Sequence, residues 1–369
     1  MGAYFMGNNE LKLPIKEIEF VDKIIITLAN RKAAKRNKVN NITNFENGLY
    51  FLLHQILLLC TIIEFMIEPT NILKRKLTFS GHDTFHCRHL WLKKGYDFLK
   101  NGNSFADNDA VILLGVGKNM VSAIHFWMKA FGLLNKDGQT TDFADYIFSA
   151  KGKDPYLEDN ATLWLLHYQL VTQNLASTYN YVFNDFRKER IEFTKDNFMF
   201  FIERKAEEEG FSQFNRKTAS TDFDVFIKTY NRTAEQTKDK EDTFSGLLTD
   251  LNLIQEEKRK TEERGTVTYY SIANDKRNDI PAEVILYTIL DNNQFQNSIN
   301  LDTIFQDRNQ AGTVFAISKS ALFEKLESIA ADRTYKRYYL TLSDHAGIKE
   351  LQFKKKPAKF DILNNYYGD

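Results

Sequence analysis

Three groups of residues have types and spacings that could carry chemistry. His82, His86, Cys87 and His89 lie close together, and a His-x3-His spacing on a helix would place two imidazoles on one face, with a third His and a Cys as further zinc donors. A structural zinc takes four ligands, commonly as two separated pairs, and no second Cys/His cluster follows. A turn in which His82 and Asp83 hydrogen-bond locally, followed by an ordinary helix, is the preferred reading. The second group is Gly115-Val116-Gly117-Lys118-Asn119, behind an apolar run. Strand, glycine loop, lysine and helix are the parts of a phosphate cradle built from backbone N–H groups. Here the glycines stand too close together, Asn119 replaces the hydroxyl that would hold magnesium, and no apolar strand ending in an Asp follows. The third group is a nucleic-acid face. If Asn119 opens a helix, Met120, Val121, Ile124, Trp127, Met128 and Phe131 form its inner stripe, and Lys118, Asn119, Ser122, His125 and Lys129 fall outward. Asn pairs with adenine edges, and Lys or Ser with guanine or phosphate. The plainer alternative is a helical hairpin in a core with solvated polar residues. No Ser-His-Asp or Cys-His set can be assembled, and Glu158-Asp159 and Glu241-Asp242 read as helix-start charges. The expectation is a DNA-binding module without catalytic residues, cofactor or metal.

The elements that must position these residues begin with 107–134. Asp109 is an acidic start signal, 110–114 is apolar, glycines break the chain, and a second apolar-periodic stretch follows. This is a helix-turn-helix pattern. Ahead of it, Ser80-Gly81 marks a turn, and Leu90, Leu92, Tyr96 and Leu99 have near-helical spacing. Beyond a charged linker at 151–154, Pro155 can begin a helix that places Leu163, Leu166, His167 and Leu170 on one face, and 194–209 and 222–230 also read as helices. A charged hinge at 238–242 precedes a helical pattern at 243–253, then two extended runs, 254–255 and 267–272, around a charged tip. Helix, strand, charged hairpin and strand form a winged helix, with Lys258, Arg259 and Lys260 set to lie against a DNA backbone. Helices at 281–290 and 318–329 and strands at 338–342 and 351–353 form a second such unit. The expected fold is mainly α with small β-hairpins (α+β): multiple winged helix-turn-helix units joined by a helical middle region. Its divisions are 1–70, an N-terminal extension; 71–150, a helix-turn-helix domain; 151–236, the helical middle; 237–278, a winged-helix segment; 279–355, a C-terminal winged-helix-like domain; and 356–369, a flexible tail.

Composition bounds these readings. The 369 residues are 43% apolar and 27% charged, with 5 Pro, 30 Phe and 17 Tyr, which describes a globular chain with aromatic-rich cores. The formal net charge is zero, so a nucleic-acid footprint must be local. Two cysteines, Cys60 and Cys87, exclude a disulfide framework and fit a reducing cytosol. A basic stretch at 31–38 and an apolar run at 50–65 admit three readings: a docking helix, translated sequence upstream of a start at Met66, and a membrane anchor. His54, Gln55 and Glu64 interrupt or close the run, which is shorter than the ~20 residues of a spanning helix. The two leading readings leave the protein soluble, and the expected location is cytoplasmic, without membrane attachment.

Several longer motifs carry a resemblance. Phe79-Ser80-Gly81-His82-Asp83-Thr84-Phe85, with Arg88 and Trp91-Leu92-Lys93-Lys94-Gly95, resembles the opening of an uncharacterised prokaryotic family, domain of unknown function 4007. So do 114–121 with Phe126-Trp127 and 130–133, 156–159 with 161–167, and 226–230 followed by Glu241-Asp242, in the same order, over roughly 77–353. Members resemble multi-helix-turn-helix proteins, often encoded beside phosphoadenosine-phosphosulfate-reductase-like enzymes and ATPases in bacterial defence and DNA-modification islands. The resemblance implies a DNA-binding recognition or regulatory role, or else an adaptor that docks such an operon-encoded enzyme or ATPase. Family members often have Glu where Asp83 stands and lack His86 and Cys87, which lowers the zinc reading. They begin shortly before the F-S-G-H motif, which favours Met66 as the start. Gly81, His82, Asp83, Thr84 and Arg88 are expected to form a structural turn that positions the first helix, with Arg88 paired to a carboxylate or a DNA phosphate.

Overall fold

In the computed structural model, which describes residues 77–211, 214–231, 246–261, 265–292, 297–338, 340–345 and 348–368, the central helix is buried on every side. That helix is Asn160–Thr172, and every residue from Ala161 to Val171 is buried, as its apolar residues on all faces require. Asp159 caps it by accepting from the Ala161 N–H, and Asp154 accepts from the N–H groups of Glu158 and Asp159. The chain therefore enters this helix later than Pro155. The apolar run at 50–65, Met66 and the charged hinge at 238–242 lie outside the described residues.

Among the described residues four helices precede it: α1 (Trp91–Lys100), α2 (Ala110–Leu114), α3 (Lys118–Ala130) and α4 (Asp142–Phe148). A short antiparallel bridge, Leu134 with Thr140, joins α3 to α4. The central helix is α5; α6 (Ser177–Tyr181) follows and runs into a π-helical turn, Val182–Phe186, and a last turn, Arg187–Glu189. Helices α7 (Lys195–Glu208) and α8 (Arg216–Tyr230) complete the middle region. Thr194 and Asn197 form a reciprocal capping box at the start of α7. Strands β1 (Glu192–Phe193), β2 (Gln255–Thr261) and β3 (Gly265–Ser271) make an antiparallel sheet of order β1-β3-β2, with Glu192 opposite Ser271 and Arg259 opposite Val267. The C-terminal part runs α9 (Ala282–Asn292), β4 (Ser298–Asn300), α10 (Leu301–Gln306), α11 (Ala311–Val314), α12 (Lys319–Ala331), β5 (Leu340–His345), β6 (Ile348–Phe353) and α13 (Lys359–Tyr367), with sheet order β4-β6-β5. Residues Arg75–Asp369 cluster as one unit; the main hydrophobic core extends from Cys87 to Leu363, and a small second cluster of Phe98, Ala110, Leu114 and Val121 lies between α1, α2 and α3. The fold is α+β, helices with two small antiparallel sheets.

Two expectations differ from the structure. Residues 246–253 are not helical beyond one 3₁₀ turn, Thr249–Leu251. Their backbone is engaged elsewhere: Leu247 N–H donates to Cys87 O and Leu248 N–H to Thr229 O, at 3.1 Å each. Gly246 lies so close to α8 that a Cβ there would come 2.1 Å from the Lys228 carbonyl oxygen. The four leucines at 247, 248, 251 and 253 are buried all the same. The C-terminal tail is not loose. Helix α13 buries Ile362 and Leu363, pairs Lys359 with Asp291 at 2.5 Å, and brings the Tyr367 hydroxyl 2.7 Å from Thr162 Oγ1.

Candidate nucleic-acid interface

The Phe79–Phe85 turn is built from contacts with distant parts of the chain. Ser80 N–H donates to Asp222 Oδ1 at 2.8 Å, and Thr178 Oγ1 donates to Asp222 Oδ2 at 2.7 Å. His82 Nε2 lies 2.7 Å from the same carboxylate, a close approach that is not in line for a hydrogen bond. His82 and Asp222 are 1% and 2% exposed, so the pair is closed to solvent. The His82 ring stacks on Trp127 of α3 at 5.2 Å and 5°, and meets Phe126 edge-on. Gly81 permits this approach, since a Cβ there would come 2.4 Å from the Phe126 ring. Trp127 Nε1 donates to Phe85 O at 3.0 Å, and Tyr179 meets the indole edge-on. The motif thus ties α3 to α6 and α8. His82 Nδ1 lies 3.1 Å from the Asp83 carbonyl oxygen, the local contact expected of this turn, while Asp83 and Thr84 are exposed. Arg88 has no carboxylate partner among the described residues; its guanidinium lies 5.2 Å from the Trp91 ring centre, and its Nε is buried without a hydrogen-bond partner. The zinc set does not converge. His82 faces Asp222, Cys87 Sγ contacts the Arg88 carbonyl at 3.8 Å, and His89 is exposed. Burial pushes the Cys87 thiol well above its usual range.

Helices α1, α2 and α3 pack against one another, and α3 starts where the glycines end α2. Gly115 adopts the left-handed conformation (φ 63°) that closes α2, and the extended Gly117 is the N-cap of α3 without a side-chain hydrogen bond. The stripe Val121, Ile124, Trp127, Met128 and Phe131 is buried, while Met120 is half-buried. Lys118, Asn119 and Ser122 are exposed at the start of α3, and Lys118 makes no ion pair among the described residues. Two expected contact residues depart from the pattern. His125 stacks on Phe105 at 4.7 Å and 14°, and burial together with Lys129 holds its imidazole below the usual range. Lys129 is half-buried beside it.

On the β2–β3 hairpin, Lys258 and Lys260 are exposed. Arg259 is committed internally: it pairs bidentately with Glu192 at 2.8 and 2.6 Å, contacts Glu257 at 2.6 Å, and lies 4.6 Å from the Tyr269 ring centre. Strand alternation explains the split, because Arg259 and Glu257 share one side of β2 and Lys258 and Lys260 the other. Asp222, the partner of His82, is the residue that sequence reasoning missed. Its only local signal is an acid among the buried Phe223, Val225 and Phe226.

The model of a family described as "Protein of unknown function (DUF4007)" matches residues 79–367. The chain belongs to the DUF4007 family. This DUF4007 protein has no match among curated proteins. A magnesium ion-bound SspB crystal structure is similar to it at 28% identity and a TM-score of 0.68, covering 79% of this chain and 88% of that one. A second SspB crystal structure matches at 27% identity and the same TM-score of 0.68, covering 80% of this chain and 90% of that chain. Among the described residues of the DUF4007 chain, no group of three or more His, Cys, Asp or Glu is placed to hold a metal ion, and no helix is long and apolar enough to cross a membrane.

Proposed function

We propose that this protein is the DNA-binding recognition or regulatory component of a bacterial defence or phosphorothioation-like DNA-modification system. The observation that carries the reading is the open start of α3, where Lys118, Asn119 and Ser122 are exposed beside first-turn N–H groups that no side chain among the described residues caps. Free N–H groups and a lysine at a helix N-terminus suit a phosphate, and Asn and Ser beside them suit base edges. We read α1–α3 with the Leu134–Thr140 bridge as a helix-turn-helix with a small wing. The order helix, strand, helices, hairpin in α9–β6, with its β4-β6-β5 sheet, is that of a winged helix. Lys258 and Lys260 are available as a second backbone contact. The buried His82–Asp222 pair serves as a clamp for α3 in this reading. The setting rests on the DUF4007 resemblance. Magnesium belongs to one of the similar SspB structures and has no place in the contact argued here.

Fluorescence anisotropy with duplex DNA at several salt concentrations tests this. Wild-type affinity should fall with rising salt, and Lys118→Ala with Asn119→Ala should weaken binding about tenfold and reduce the salt slope by about 1. Unchanged affinity of the double variant at every salt concentration would remove α3 from the contact surface. No binding to duplex, single-stranded or phosphorothioated DNA would remove the reading itself.

A further inference from the structure

Beside the glycine turn, Leu90, Ile112 and Leu113 are 52%, 80% and 54% exposed, and Val111 is exposed next to them. Contiguous apolar surface rimmed by polar groups marks interaction sites. Behind this ridge lies a groove of about 820 Å³ with Trp91, Val111, Val116 and Met120 on its walls. That volume falls within the range of roughly 300–1,000 Å³ typical of binding clefts. The charged side chains lining it are Arg88 and Lys94, with no carboxylate among its lining residues. Among the described residues Arg88 Nε is without a hydrogen-bond partner, and Lys94 Nζ donates to the Leu114 carbonyl, at 3.4 Å. A stacked base needs a free aromatic face. Here the Arg88 guanidinium covers Trp91, and the ridge is aliphatic. Apolar walls with a cationic rim complement an apolar stripe flanked by acids.

We propose that this groove receives an amphipathic helix of a partner protein, with its apolar face against Leu90, Val111, Val116 and Met120 and its Asp or Glu flanks against Arg88 and Lys94. Helix-in-groove recognition uses anchors at i, i+3, i+4 and i+7, a length that suits a shallow, open cleft. The proposal does not depend on the DNA reading, because the groove lies beside the open start of α3 and uses different side chains.

The test uses the full chain and two fluorescent, lactam-bridged helical peptides with the same leucine stripe, one flanked by Glu and the other by Lys. The Glu peptide should bind at least about tenfold more tightly than the Lys peptide. Leu90→Asp and Val111→Asp should each weaken it about tenfold while duplex-DNA affinity stays within about twofold. Both positions are exposed, and an unchanged unfolding midpoint verifies that the variants are folded. No binding of the Glu peptide, equal binding of the two peptides, or no effect of the substitutions would overturn the proposal. If Val111→Asp instead abolishes duplex binding as fully as Lys118→Ala with Asn119→Ala, the groove belongs to the nucleic-acid face and the proposal fails.

Discussion

Helices α1–α3 and the α9–β6 region each pack several helices ahead of a short antiparallel pairing, and they differ in what their last long helix offers to solvent. At the start of α3 that surface is Lys118, Asn119 and Ser122. On α12 it is Lys319, Ser320, Glu324, Glu327 and Ser328, with Lys319 paired to Asp302 and Lys349 resting 3.6 Å from the Phe323 ring centre. A phosphate backbone is attracted to the first surface and repelled by the two glutamates of the second. Two helical regions in one chain therefore need not share a ligand, and the charge on the exposed face separates them.

The largest expected effect breaks the anchor of the first region. Asp222→Ala leaves Ser80 N–H and Thr178 Oγ1 without their acceptor and removes the carboxylate beside His82 at a site closed to solvent, and should cost about 3–5 kcal/mol in denaturant unfolding. A loss below ~1 kcal/mol would show that α3 is held without this clamp. Next in size is an acid response at the junction with the second region. His167 lies 2.8 Å from the Tyr230 hydroxyl through Nδ1 and 2.8 Å from the Val314 carbonyl through Nε2, so Nε2 carries the proton. Burial pushes its pKa down to about 3. The unfolded imidazole titrates near 6.5, so the unfolded state binds the extra proton between these values and stability falls as pH drops through that window. Wild type should lose about 1.5–2 kcal/mol more than His167→Gln between pH 6.5 and 5, and parallel stability curves would refute this. The smallest effect sharpens the charge contrast. Glu324→Lys with Glu327→Lys should raise duplex affinity about threefold at low salt and by less at high salt. A gain that ignores salt would mean that charge is not what separates the two faces.

What could be read from the sequence follows the range of the signal. The buried stripe of α3 was legible because Val121, Ile124, Trp127 and Met128 recur at the helical period within one segment. The role of His82 was not, because Asp222 stands 140 positions away on another helix. Arg259 appeared free because its bidentate partner Glu192 reaches it only through the β1-β3-β2 sheet, although Glu257, two positions away on the same strand, was a local signal. The leucines at 247–253 have a spacing that fits a helix, but their backbone N–H groups found carbonyls on other segments first. The α13 tail lacked a strong period, yet Ile362 and Leu363 supply enough apolar surface to dock it.

The packing around Trp127 has a thermodynamic consequence for anything that meets α3. The indole is held by a stacked imidazole, two edge-on rings and a hydrogen bond from its own nitrogen, so α3 cannot rotate about its axis without unseating His82. A ligand at Lys118 therefore meets a helix already set in orientation, and association orders side chains but not backbone. Complex formation should be close to rigid-body docking, governed by encounter electrostatics and with little loss of backbone entropy.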